Sequence, residues 1–115
     1  MTIQNEKGSI EISNEVFTVI SGHAATNCFG VKGMAFRNMK DGIVSLLKRE
    51  NMSKGVKATF EDGQVSIEIH IIVEHGVNIS TVCQSIMTEI RYNVERLTRI
   101  PVKNVNVCVD SIMVD

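Results

Sequence analysis

Three histidines and three cysteines are the side chains of this 115-residue chain best suited to metal binding or nucleophilic catalysis. A metal site needs histidine, cysteine or carboxylate ligands gathered at short spacing, and the cysteine spacing here matches no zinc or redox motif. The last two histidines are five residues apart across the end of a predicted strand, so they do not share a face. We therefore predict no metal, no cofactor and no catalytic residue, and structural or surface roles for His23, His70, His75, Cys28, Cys83 and Cys108.

One pair among these side chains could support covalent chemistry. Cys28 lies beside a glycine turn, and His23 precedes it by about one helical turn. A nearby histidine base can activate a thiol, but nothing adjacent in the sequence orients this base or forms an oxyanion hole. We expect a protein that is not an enzyme, with a reactive thiol at Cys28 as an alternative.

A glycine loop and a basic segment could meet an anionic partner. Gly30-Val31-Lys32-Gly33 matches the Gly-x-x-Gly pattern with which KH domains clamp a nucleic-acid backbone. Residues 32–57 carry a net charge of +5 and the remainder of the chain −6. A solvated helix face gives the same charge pattern, and the open face of the predicted sheet lacks the aromatics typical of RNA-binding sheets. A small nucleic-acid-binding module is therefore our alternative function.

Residues 65–82 give the clearest structural pattern, a strand that turns at a glycine into a helix. Gly76 permits the turn and Asn78 can cap the helix, which we place from about 79 to 97 or 99. One face of the strand is apolar at every second position, which indicates burial on one side. Its members are Val65, Ile67, Ile69, Ile71 and Val73. The helix carries an apolar stripe of Ile79, Val82, Cys83, Ile86, Ile90, Val94 and Leu97, with Glu95 and Arg99 paired on its outer face.

The other elements follow from similar patterns. We predict strands at 8–12, 56–61 and 105–110, a helix at 14–27 with Ser13 as its N-cap, a loop at 30–38 and a short helix at 39–50. Asp62-Gly63 predicts a two-residue hairpin turn. The order βα(α)ββαβ favours an α/β (α+β) two-layer sandwich, in which a mixed four-stranded sheet has helices on one face. Residues 1–7 are expected as a tail and residues 8–115 as a single domain.

The sheet face that points away from the helices would show polar side chains to water, interrupted by Ile72. An isolated exposed isoleucine can mark a contact between subunits. Together with the basic segment it defines our predicted partner-binding surface: Lys32, Arg37, Lys40, Lys48, Arg49 and Ile72.

Composition and length bound the class of protein. Hydrophobic content of 43% and charged content of 22% are ordinary for a globular domain. No apolar run approaches the roughly 20 residues that span a bilayer, and the first residues lack the features of a signal peptide. Three cysteines cannot all pair within the chain, so a reducing cytoplasm is the expected compartment.

Four segments, in order and over most of the chain, resemble the alkaline shock protein family, also described as envelope stress response proteins of Gram-positive bacteria. They are Gly8-Ser9-Ile10-Glu11-Ile12, Gly30-Val31-Lys32-Gly33-Met34, Lys54-Gly55-Val56-Lys57 and Ile71-Ile72-Val73-Glu74-His75-Gly76-Val77-Asn78-Ile79. The resemblance implies a small cytosolic protein that is not an enzyme. Such proteins self-associate or dock at the membrane through a membrane-embedded partner.

Two departures from the family pattern refine this expectation. Charged tails that flank the domain in larger members are missing, so we expect a short, tail-less member with a housekeeping role. His75 stands where the family often has an aromatic residue such as tyrosine. The family pattern supplies no catalytic residue that could be transferred to this chain.

Overall fold

The computed structural model describes residues 1–34 and 55–114. Its elements are β1 (Thr2–Asn5), β2 (Gly8–Glu11), α1 (Asn14–Thr26), β3 (Val31–Met34), β4 (Val56–Glu61), β5 (Gln64–Glu74), α2 (Ile79–Thr98) and β6 (Val102–Met113). β1 and β2 form an antiparallel hairpin of their own, and the other four strands form one mixed sheet. The predicted α+β class with a mixed four-stranded sheet is confirmed.

β5 is the central strand of the sheet. β4 pairs antiparallel with its residues 64–69, and β3 pairs antiparallel with residues 71–73. β3 and β4 therefore lie end to end along one edge of β5. β6 runs parallel along the other edge and pairs with residues 65–74. This parallel connection through α2 was predicted from the strand–helix–strand order.

The β4–β5 connection is the predicted two-residue hairpin. Asp62 and Gly63 have φ values of 52° and 77°, so both central positions are left-handed. A turn with positive φ at both positions matches the right-handed twist of the flanking strands. The turn brings Glu61 opposite Gln64 and sets the register of the whole hairpin.

The core lies between the helices and one face of the sheet. The five predicted apolar residues of β5 are all fully buried there. Phe17 of α1 packs edge-to-face on Phe60 of β4, with ring centroids 5.0 Å apart. α2 contributes the buried stripe Val82, Ile86, Ile90 and Val94. Both described helices thus cover the same face of the sheet.

Both ends of α2 are fixed by specific hydrogen bonds. The Asn78 side chain accepts from the Thr81 N–H at 3.0 Å, which confirms it as the cap. At the other end Arg91 donates to the Val102 carbonyl, and the Glu95 carboxylate accepts the Val102 N–H at 2.9 Å. Glu95 therefore anchors β6, whereas the sequence pattern had placed it on the outer face against Arg99.

The N-terminal segment differs from the expected tail. Residues Thr2–Asn5 form β1, and Ile3 stands opposite Ile10 of β2. The Met1 amino group donates to the Ile12 carbonyl at 2.8 Å, which closes the hairpin. The strand predicted at 8–12 consequently pairs with β1 and not with the main sheet.

The main sheet takes its fourth strand from a segment predicted to be a loop. β3 occupies residues Val31–Met34, inside the expected 30–38 loop. A register shift between Val31 and Gly33 interrupts its alternation, so a short strand with a bulge leaves no period-two pattern. The predicted 39–50 helix lies outside the described residues.

The predicted burial of four apolar residues is also corrected. Ile72 is 0% exposed, although the sequence pattern had placed it on a water-facing surface. Ile79 and Leu97 are exposed, the latter by 56%, because they lie in the first and last turns of α2, beyond the buried part of its stripe. Cys83 is only half-buried.

Candidate functional site

The corner where β5 turns into α2 lies directly against the turn between α1 and β3. Gly76 makes the first turn with φ of 93°, and Gly30 makes the second with φ of 90°. The Glu74 N–H donates to the Gly30 carbonyl at 2.8 Å, which joins the two turns. The structure thus brings together two segments that are about 45 residues apart in the sequence.

Gly30 is required at this contact for two reasons. Its φ of 90° is a conformation that side-chain-bearing residues rarely adopt. A Cβ at this position would also lie 3.0 Å from Cγ2 of Val82 and 3.2 Å from Cγ1 of Val77. The α1–β3 turn therefore packs on the beginning of α2 without space for a side chain.

A shallow groove opens beside this contact, with Phe29 on its rim. The Phe29 side chain is 85% exposed, although it is one of only five aromatic residues in the chain. The groove is lined by Phe29, Glu74, His75, Gly76, Val77, Asn78, Thr81 and Val82. An exposed aromatic beside an apolar concavity is the arrangement found at protein–protein contacts, where aromatic side chains supply much of the binding energy.

The groove also has a charged border. Lys32 Nζ lies 3.9 Å from Glu74 Oε1, and both side chains are partly exposed. Such an exposed pair adds little stability, so both charges are available to a partner. Lys32 is the one predicted contact residue that the structure places at this site. Arg37, Lys40, Lys48 and Arg49 lie outside the described residues, and Ile72 is buried.

Phe29 is the functional candidate that the sequence analysis missed. It directly precedes the first glycine of Gly30-Val31-Lys32-Gly33, a pattern that indicated a turn. An aromatic residue in a predicted turn does not belong to the buried face of a helix or strand. This position was the sequence signal that could have indicated an exposed Phe29. No sequence pattern shows that Phe29 is 85% exposed or that the neighbouring Gly30 packs against Val77 and Val82.

The glycine loop does not have the geometry of a KH clamp. Residues Val31–Met34 form β3 and pair with β5, so the loop leads from α1 into a strand. A KH loop instead joins two packed helices. The described geometry therefore gives no support to the nucleic-acid reading of this motif.

A second polar cluster lies on the open face of the sheet. The His70 ring is 18% exposed, with Nε2 3.2 Å from Glu68 Oε2 and Nδ1 3.0 Å from Asp110 Oδ2. Each ring nitrogen therefore lies within hydrogen-bond distance of a carboxylate oxygen. His70 thus links β5 to β6. Over residues 1–34 and 55–114, no group of three or more histidine, cysteine or acidic side chains is arranged to hold a metal ion.

The surroundings of all three thiols raise their pKa values. Burial raises the pKa of Cys28, and the Glu89 carboxylate raises it further. Its Sγ–H donates to the Ala24 carbonyl at 3.4 Å. A nucleophilic cysteine needs a lowered pKa, so this environment opposes the reactive-thiol alternative. The pKa of Cys108 is also raised, first by burial and then by the Glu68 and Asp110 carboxylates.

Neither described helix is long and apolar enough to cross a membrane.

Comparison with known proteins identifies the family. The model of the alkaline shock protein 23 family, described as having a cell envelope-related function, matches residues 2–114. The chain belongs to this family. The resemblance to alkaline shock proteins is thereby confirmed, and the matched span includes the N-terminal hairpin together with the corner at Gly30 and Gly76.

Individual relatives align over most of the chain. The uncharacterized protein YloU of Bacillus subtilis is 38% identical over 113 residues, which are 97% of this chain and 94% of that protein. The uncharacterized protein Spy1614 of Streptococcus pyogenes is 36% identical over 97% of this chain and 93% of its own. A stress response regulator Gls24 homolog of Streptococcus pyogenes is 30% identical over 88% of this chain, but only 56% of its own length is covered. No solved structure matches the chain significantly.

Proposed function

We propose that this alkaline shock protein family member is a non-enzymatic interaction protein in the cell-envelope stress response. It self-associates in the cytoplasm and docks on a membrane-anchored protein through the groove that has Phe29 on its rim. The observation that carries the proposal is the 85% exposure of this aromatic beside an apolar groove. The envelope-related description of the family and the regulator name of its Gls24 relative support the cellular role.

Exposure of the Phe29 ring to water costs free energy. Burying a phenylalanine side chain stabilises a complex by about 1.5–3 kcal/mol relative to leaving it in water. Phe29 makes no such gain within the described fold, whereas Phe17 and Phe60 are packed together in the core. A partner that covers Phe29 and the Val77–Val82 side of the groove would recover this energy.

The groove also offers polar specificity. Lys32 and Glu74 provide one charge of each sign at its border. His75 and Thr81 add polar groups along the lining. An apolar anchor surrounded by polar groups is typical of a protein–protein interface and not of an enzyme pocket.

The cytoplasmic location is supported by the state of the cysteines. Cys28, Cys83 and Cys108 are all free thiols, which is typical of proteins that work in a reducing compartment. The family is described as having a cell envelope-related function, which supports a role connected with the envelope. A protein that works from the cytoplasm meets the envelope through a partner, and for this reason the proposal includes a membrane-anchored one.

The test compares Phe29→Ser with Tyr92→Ser. Tyr92 is a second exposed aromatic, 61% exposed on α2, and serves as the matched control. We expect in-cell crosslinking to join the wild type and the Tyr92→Ser variant to the same membrane-anchored protein. The Phe29→Ser variant should lose this crosslink while it keeps its circular dichroism spectrum and melting temperature.

Two outcomes would contradict the proposal. An identical crosslinking pattern for the wild type and Phe29→Ser would exclude the groove beside Phe29 as the docking site. Salt-sensitive binding of the purified protein to single-stranded RNA, in the absence of any protein partner, would instead favour the nucleic-acid module.

A further inference from the structure

β6 presents a long free edge. It runs over 12 residues, Val102–Met113, and pairs with β5 along one side. In the part of the chain that the structure describes, no strand pairs with its other side. An unpaired strand edge is a template for pairing with another strand, because its backbone groups lack partners.

The register identifies which backbone groups point outward. In a parallel pair, a residue of one strand bonds to the two residues that flank its registered partner. The Val65 N–H shows that odd-numbered residues of β5 bond to β6, since it donates to the Pro101 carbonyl at 3.0 Å. Ile69 is registered with Val107 and therefore bonds to the neighbours of Val107. The outward-facing N–H and C=O groups are those of Val105, Val107 and Val109.

Regular pairing is available over a window of six residues. The β5–β6 register shifts at Lys103 and again at Asp110, so residues 104–109 lie between two bulges. Six residues is about the mean length of a strand in globular proteins. The bulges mark the ends of the segment that a further strand could follow.

Apolar side chains flank this window on the helix side of the sheet. Val107 and Val109 are only partly buried. Arg91 donates to the Val102 carbonyl, so this face of α2 is turned toward β6. Met87 is one helical turn from Arg91 on the same face and is 39% exposed. A second sheet placed on this edge would cover Met87 and both valines.

The charges of β6 favour a second copy as the occupant. Its two charged residues are Lys103 near the start and Asp110 near the end. Antiparallel pairing of two copies brings each lysine near the other copy's aspartate, whereas parallel pairing would place like charges together. Centred on Val107, the pairing also sets Val105 opposite Val109 and Asn106 opposite Cys108, with no clash of charge.

We infer that two copies of this chain pair antiparallel through β6, centred on Val107, to form one sheet that continues across a two-fold axis. The inference rests on the proposed self-association and specifies its surface. Such an isologous contact is the commonest way in which identical chains associate.

The main test is Val107→Pro. Proline removes an outward N–H and leaves the β5–β6 bonds in place. We expect sedimentation at tens of micromolar to give twice the 12.7 kDa monomer mass for the wild type and the monomer mass for Val107→Pro. Val107→Ala keeps the N–H and should remain a dimer.

A charge variant tests the same surface without any change in backbone chemistry. Lys103→Glu places like charges near each other in the antiparallel dimer, and we expect the dimer Kd to rise about fivefold. Lys57→Glu makes the same change on β4 and should leave the Kd unchanged. If Val107→Pro does not fold, the dimer Kd values of Lys103→Glu and Lys57→Glu test the β6 contact in its place.

The outcomes separate this inference from the proposed function. A wild type that stays monomeric would overturn both the self-association and the β6 contact. A wild-type oligomer that persists in Val107→Pro and Lys103→Glu would overturn the β6 contact alone. Loss of the dimer in both variants, with both controls intact, would support it.

Discussion

The two faces of β5 belong to the same strand and have opposite characters. On the helix side, five residues at every second position are fully buried in one core. On the other side, Ser66, Glu68 and His70 are half-buried and polar, and His70 joins two carboxylates. The apolar face therefore supplies the folding energy, while the polar face links neighbouring strands through side-chain contacts.

Ile72 breaks this division. It belongs by its position to the polar face, yet it is fully buried and lies outside the main core cluster. Ile72 is therefore a buried apolar exception between His70 and Glu74, which are polar and only partly buried. Stability measurements on the two faces can test how far this difference extends.

The largest effect is expected for Ile69→Ala on the helix side. Truncation leaves a cavity in a fully buried core and should lower the free energy of unfolding by about 3 kcal/mol. Ser66→Ala on the opposite face should change it by less than about 0.5 kcal/mol. Urea denaturation monitored by circular dichroism measures both. Similar values for the two variants would refute the energetic asymmetry of the faces.

Ile72→Ala should have the next largest effect. Because Ile72 is fully buried, we expect a loss of about 2–3 kcal/mol in the same urea titration. Ile10→Ala, the same substitution at a 53% exposed isoleucine of β2, is the control and should cost well under about 1 kcal/mol. Equal small losses would mean that Ile72 behaves as a surface residue after all.

His70→Ala should have a smaller effect. It removes contacts of 3.0 and 3.2 Å to two carboxylates that are themselves partly exposed. Contacts between partly exposed polar side chains contribute roughly 0–1 kcal/mol, so the melting temperature should fall only slightly. Among residues 1–34 and 55–114 the exposed His75 ring has no such contact, so His75→Ala should leave the melting temperature unchanged. A loss of stability in His70→Ala as large as that in Ile69→Ala would show that the polar face of β5 contributes as much folding energy as the apolar face.

The smallest effect on stability, no larger than that of His70→Ala, is expected for a variant that changes the chemistry of Cys108. Burial, then Glu68, then Asp110 raise the pKa of Cys108, so Glu68→Gln should lower it and increase the thiolate fraction. Alkylation of Cys108 at mildly alkaline pH should then become faster, as followed by mass spectrometry of labelled peptides. The pKa of Cys83 is raised by burial alone, so its rate is the internal control. A parallel increase at Cys83 would indicate a general loosening of the fold.

The pattern of β5 and α2 could be predicted because both elements are long and regular. Alternation over 65–73 and the stripe on α2 each repeat several times, and Gly76 and Asn78 mark the boundary between them. Because each pattern repeats several times, one residue that departs from it, such as Ile72, does not change the predicted element. The crossover to β6 and the Asp62-Gly63 hairpin followed from the same local rules.

The remaining features depend on contacts between distant segments. β3 is four residues long and bulged, so its pairing with β5 decides its structure where local pattern does not. Ile72 looks like a surface residue because period two assigns it to the polar face, and only the folded chain shows its burial. The groove beside Phe29 could not be predicted as a site because its two sides meet where Gly30 packs on Val77 and Val82.

The central position of β5 also has a consequence for hydrogen exchange. Its amides are paired on both edges, to β3 and β4 on one side and to β6 on the other. Exchange at residues such as Ile67 and Ile71 therefore requires the sheet to separate, and their rates should report global opening of the domain. The outward amides of β6 would exchange rapidly in a single chain, so one isotope experiment would read the stability of the fold from β5 and the state of its edge from β6.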